Sequence, residues 1–155
     1  MRRDSRLSVA LHVLLHMSET GGVVTSGALG PMMKTNPVVL RRTMAGLRDA
    51  GIVQSEKGHG GGWSLARQLD AVTLGDVYDA LGMSAPFNID NREQRPTCLL
   101  AQAVNRALDA ALAEAEARLR QRLRHITVAD VLADAGPGVK RLDEMARAHR
   151  HRKGS

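Results

Sequence analysis

The sequence predicts a mainly α-helical fold with one small β-hairpin, and three observations lead there. The chain is 43% apolar yet holds one Trp, one Tyr and one Phe, so Leu, Val, Ala and Met must fill its core. They recur at helical spacing. Two short strand-like runs, 52–56 and 63–66, flank Lys57-Gly58-His59-Gly60-Gly61-Gly62, which has the composition of a turn. Residues 98–124 then keep apolar or small residues at steps of three or four, close to a heptad seam.

Taken in order, residues 5–18 place Leu7, Leu11, Leu14 and Met17 on one face, with Ala10 and Leu15 beside it. The N-terminus is basic and then apolar, but His12 and His16 interrupt the apolar run and no small-residue cleavage site follows, so it reads as a first amphipathic helix and not as a leader. His12 and His16 stand four apart, a metal-ligand spacing; they read as the flank of that helix, and no metal is expected. Gly21-Gly22 closes it, and Val23-Val24 suggests a short strand. Thr25 or Ser26 caps a second helix over 26–33, with Ala28, Leu29, Met32 and Met33 turned inward; Gly30-Pro31 keeps it short or bent. Lys34-Thr35 is a turn. Asn36 caps a third helix, and Pro37 takes its first position, where a missing N–H costs nothing. Steps of about 100° put Leu40, Thr43, Met44 and Leu47 inside and Val38, Arg41, Arg42 and Ala45 outside. Gly51 ends it. After the hairpin, Thr73 and Asp76 make a capping-box pair before Leu74, Val77, Tyr78 and Leu81. Thr127 and Asp130 repeat the relation. Residues 84–96 are a polar, Pro-containing loop. Thr97 caps the long helix, with Leu100, Val104, Leu108, Ala111, Ala115, Leu119, Arg122 and Ile126 along its seam.

Charge follows this layout. Residues 1–66 carry 8 Lys and Arg against 4 Asp and Glu, residues 67–135 carry 8 against 10, and residues 136–155 carry 6 against 2. Basic ends around a neutral middle favour a phosphate-bearing partner. No apolar run reaches the ~18 residues of a membrane span, and a single cysteine excludes an intrachain disulfide framework, as in a reducing cytoplasm. No nucleophile–base pair, metal set or phosphate loop marks an enzyme.

Two short helices, a tight turn and a strand make a winged helix-turn-helix, predicted over residues 1–83. Arginine reads guanine or phosphate, and small apolar groups meet the thymine methyl. The expected double-stranded DNA contacts are Ser26, Lys34, Thr35, Asn36, Pro37, Val38, Arg41 and Arg42 around the third helix, and Lys57, Gly58, His59, Gly60 and Gly61 in the wing. The glycine loop lacks the Lys-Ser/Thr ending and the following helix of nucleotide-binding loops. Trp63 either stacks on sugar or base or, as expected here, packs on the first helix. Residues 97–135, the long helix and a short closing one, are the expected dimerisation element, with Leu100, Val104, Leu108, Ala111, Ala115 and Leu119 at the contact. Residues 136–155 form a basic tail.

The runs NPVVLRR, LRDAGIV, KGHGGGWSLAR and TLGDVYDAL, in order and at fixed spacing over about residues 5–133, resemble the Rrf-two family of bacterial winged-helix transcription factors. The resemblance implies a homodimer on a palindromic operator, usually a repressor. Cluster-binding members of that family carry three cysteines before and at the start of the long helix. Only Cys98 stands here, so no iron–sulfur cluster or other cofactor is expected. A helix N-terminus with Arg92 and Arg95 nearby would lower the Cys98 thiol pKa and make it a redox sensor; the other reading is a buried apolar residue. The alternative to a DNA-binding regulator is a protein-interaction module on the same fold.

Overall fold

The computed structural model describes residues 5–83 and 98–136. The loop expected at 84–96, Thr97 and the tail from 137 onward lie outside the described residues.

Helix α1 (Arg6–Thr20) buries Ala10, Val13, Leu14 and Met17. Gly21 closes it in the left-handed region (φ 68°), its N–H donating to the Met17 carbonyl at 3.2 Å. The buried face is turned about a sixth of a turn from the predicted stripe: Leu14 and Met17 are buried as expected and Val13 is fully buried, whereas Leu7 and Leu11 are half-buried. α1 is the central post of the fold, touching most of the other elements, so its buried face lies where they converge.

Helix α2 (Ser26–Met33) starts at Thr25, whose Oγ1 accepts the Ala28 N–H at 3.3 Å. Leu29 is fully buried, but Ala28, expected inward, is exposed. An eight-residue helix lying across the core seats little beyond the row of Leu29. Lys34 takes φ 47° in the turn, a conformation non-glycine residues seldom adopt. Helix α3 (Pro37–Asp49) follows the prediction closely. Asn36 Oδ1 accepts the Val38 N–H at 2.8 Å, Pro37 is in the first turn, and Leu40, Thr43, Met44 and Leu47 are buried. A Cβ on Gly46 would stand 2.5 Å from the Ala80 carbonyl oxygen, so the absent side chain is what lets α3 approach the next long-range neighbour backbone to backbone.

Strands β1 (Val53–Glu56) and β2 (Gly62–Leu65) pair antiparallel, from Val53 opposite Leu65 to Glu56 opposite Gly62. Val24 supplies a single bridge to Trp63, each N–H donating to the other's carbonyl at 2.8 and 2.9 Å. That bridge ties the wing to the start of α2. A 3₁₀ turn (Leu69–Ala71) leads to α4 (Leu74–Ala80), and α6 (Val128–Ala135) closes the described chain. Both carry the predicted capping box, Thr73 with Asp76 and Thr127 with Asp130. The Asp130 carboxyl is held below its ordinary pKa, first by the Thr127 N–H and then by its hydroxyl. The two boxes also bridge each other: Thr73 pairs with Thr127, with Leu74 N–H to Ile126 O and Val128 N–H to Val72 O, both at 2.8 Å. Their likeness in sequence therefore has a structural use.

Helix α5 (Leu99–Arg124) is 26 residues long, about 39 Å at 1.5 Å per residue. None of its residues is buried. Its cap is Cys98, where Thr97 was expected. The C-terminal part rests on the winged domain. Arg120 reaches Asp79 at 2.6 Å and Glu116 at 3.0 Å and lies 5.0 Å from the centre of the Tyr78 ring; Arg124 meets Asp79 at 3.5 Å.

Candidate nucleic-acid interface

The residues expected to meet DNA are assembled by three local features: the α2–α3 turn, the cap of α3 and the hairpin. Lys34, Asn36, Pro37, Val38, Arg41 and Arg42 are exposed, and Thr35 is half-buried. The Asn36 side chain is occupied by its cap. Val38 leaves 53% of its surface open. Among the described residues no carboxylate pairs with Lys34, Arg41, Arg42 or Lys57, whereas Arg48, at the far end of α3, is matched by Asp49 at 2.9 Å. The N-terminal half of α3 thus presents uncompensated positive charge beside small apolar groups.

The wing divides in two. Lys57, Gly58, His59 and Gly60 form an exposed tip, with Gly58 at φ 103° and Gly60 at φ 81°. Gly61 is half-buried and its N–H donates to the Gly58 carbonyl at 3.0 Å, while a Cβ there would sit 2.4 Å from the Glu56 oxygen. A Cβ on Gly62 would sit 2.3 Å from the Val24 oxygen. Both glycines thus lie close against the protein's own backbone. Trp63 is half-buried; its indole N–H donates to Ser26 Oγ at 3.1 Å. The indole N–H thus ties the ring to α2, and Ser26 is engaged by it.

On α5, Leu100 is 78% exposed, Val104 57% and Leu108 38%; Ala111 is exposed, and Ala115 and Leu119 are half-buried. Leu99, absent from the predicted seam, is exposed at its start. Cys98 is exposed, which removes the buried-apolar reading. Its thiol pKa is lowered by the backbone N–H groups of Ala101 and then Leu100, donors of the first helical turn, slightly opposed by desolvation. Arg92 and Arg95, invoked from sequence, lie outside the described residues. The Nε2 atoms of His12 and His16 are 3.0 Å apart on the flank of α1.

Sequence reasoning missed the Asp79 joint to Arg120 and Arg124, and the contact at Gly46. Both join residues more than thirty positions apart, and neither leaves a local signal.

The sequence profile of the Rrf2 family, described as an iron-dependent transcriptional regulator, matches residues 3–134. The HTH-type transcriptional regulator YwnA of Bacillus subtilis (strain 168) is 28% identical over 131 residues, covering 83% of this chain and 96% of YwnA. A solved structure described as a DNA binding protein is 28% identical, covers 83% of this chain and 99% of its own, and superposes with a TM-score of 0.66. A transcriptional regulator from Lactobacillus plantarum shares the fold at a TM-score of 0.74 and 24% identity, covering 93% and 98%.

The iron in the family's description finds no fitting thiolate set here. The chain has one cysteine, and among the described residues no three of His, Cys, Asp and Glu are grouped to hold a metal. A cluster held by three thiolates of one chain does not fit. The chain belongs to the Rrf2 family of transcriptional regulators and is a DNA-binding regulator, not an enzyme.

Proposed function

We propose that the chain acts as a homodimer on a palindromic operator in the cytoplasm, as a repressor without a resident cofactor. The observation that carries this reading is α5. A 26-residue helix with no buried residue leaves Leu99, Leu100, Val104 and Leu108 open to solvent, and burying them against a twin would stabilise by about 25 cal/mol per Å² of apolar surface. Two-fold pairing would set two α3 helices about one DNA turn apart, roughly 34–36 Å. α3 then lies in the major groove, with Arg41 and Arg42 on base edges or phosphates and Val38 toward a thymine methyl. Ser26, Lys34, Thr35, Asn36 and Pro37 steady the approach, and the tip from Lys57 to Gly60 meets the flanking backbone. No helix among the described residues is long and apolar enough to cross a membrane.

Arg41→Ala or Arg42→Ala is expected to lose specific binding of a genomic operator fragment in gel shift while sedimentation still reports a dimer. Retained specific binding in both variants would remove α3 as the reader.

A second reading concerns Cys98, favoured by its exposure and lowered thiol pKa. Its thiolate attacks a peroxide oxygen, forming sulfenic acid and releasing hydroxide, and the change at the start of α5 weakens the operator complex. Peroxide is expected to release the fragment from wild type and not from Cys98→Ser. Equal release from both would remove the reading.

A further inference from the structure

His12 and His16 stand one turn apart on α1, the first exposed and the second half-buried. Their Nε2 atoms are 3.0 Å from each other. The rings are tilted by 42° with centroids 4.6 Å apart, so they meet at these nitrogens and are not stacked face to face. We propose that the pair binds one exchangeable divalent metal ion of tetragonal preference, nickel(II) or copper(II), through both Nε2 atoms, with water in its remaining positions.

The distance carries the inference. Metal–imidazole bonds run about 2.0–2.1 Å. Two such bonds to nitrogens 3.0 Å apart enclose about 91–97° at the metal. That is close to the angle between neighbouring ligands in square-planar and tetragonal coordination, the geometries of copper(II) and nickel(II), and imidazole suits both ions. A tetrahedral ion would need the two nitrogens about 3.3 Å apart.

The helix presets this geometry. Residues four apart share one helix face. Ala10, Val13, Leu14 and Met17 lock α1 into the core, which fixes how the histidine face is turned. Ligands carried on a packed helix are already ordered before the ion arrives. In the hydrogen bond between the rings one Nε2 carries the proton and the other accepts it. Binding moves that proton through solvent to Nδ1 of the same ring, the other neutral tautomer, and both Nε2 lone pairs then face the metal. No proton is released and no electron is transferred.

Among the described residues no third His, Cys, Asp or Glu joins the pair. Two protein ligands hold an ion reversibly, unlike the closed set of four in a structural site. The site therefore follows the free metal concentration and holds no resident group. The bound ion braces one turn of α1, the helix on which the other elements converge, and stabilises the fold only while metal is present.

The test titrates nickel chloride into the full chain carrying His149→Ala and His151→Ala, which removes the histidines of the C-terminal tail. Calorimetry is expected to show one ion per chain. The thermal midpoint should rise with nickel and return on adding a chelator. His12→Ala and His16→Ala, each made in that background, should weaken nickel binding at least about tenfold, because the second imidazole of a pair binds intramolecularly. Replacing the histidine that caps α5, by His125→Ala, should keep the affinity. Zinc(II) should bind more weakly than nickel, since it prefers the wider tetrahedral angle. Circular dichroism checks that each variant is folded, and His12, being exposed, can be replaced without touching the core. Unchanged nickel affinity in either the His12 or the His16 variant overturns the site, as does one ion shared by two chains. Zinc held as tightly as nickel overturns the tetragonal geometry.

Discussion

Gly62 and Val24 meet with so little space that one methyl group decides the attachment of the wing. A Cβ would stand 2.3 Å from the Val24 oxygen, inside any real contact distance. The bridge between Val24 and Trp63 must then open or β2 must shift. Gly62→Ala is expected to lower stability by roughly 1–3 kcal/mol, the range for overpacking, as read by thermal or urea unfolding. A change below about 0.5 kcal/mol, typical of an indifferent surface site, would show that the hairpin accommodates the methyl. Gly62 was visible in the sequence only as one of a glycine run, because the oxygen it faces belongs to a residue 38 positions away. The caps were legible for the opposite reason. Asn36 with Pro37, Thr73 with Asp76 and Thr127 with Asp130 act within three residues, and each stands as the sequence indicated.

At the scale of elements, α3 is seated on one side and open on the other, and both faces followed from 100° steps. The sequence did not reveal how α3 is held. Gly46 against Ala80 brings α4 to its back, and α4 in turn carries Asp79, the carboxylate to which Arg120 and Arg124 of α5 attach. α3 and the long helix are thus joined through α4. Solvent screening leaves exposed pairs such as these little net stabilisation, so the joint positions α5 more than it stabilises the domain. The far half of α5 instead carries the exposed Leu99, Leu100, Val104 and Leu108. Leu100→Asp combined with Val104→Asp is expected to shift sedimentation from dimer to monomer without lowering helical content. A dimer that persists in this variant would place the interface elsewhere. Periodicity predicted the seam but not its extent, because an apolar step of three or four looks alike whether it faces a twin or the helix's own domain. Leu123 and Ile126 pack on the core while Leu99 and Leu100 do not.

For the whole molecule, charge and shape converge. Basic residues gather at the two ends of the chain, and Arg41 and Arg42 in the N-terminal half of α3 and Lys57 at the wing tip have no carboxylate partners among the described residues. A two-fold dimer would set two such surfaces on one face of DNA. Hydroxyl-radical footprinting of a fragment selected from the chain's own genome tests this most directly, repeated at rising salt. The expected result is two protected half-sites related by a dyad and centred about one helical turn apart, roughly 10 base pairs, fading steeply as salt rises. A single unsymmetrical footprint, or no protection even at low salt, would contradict it.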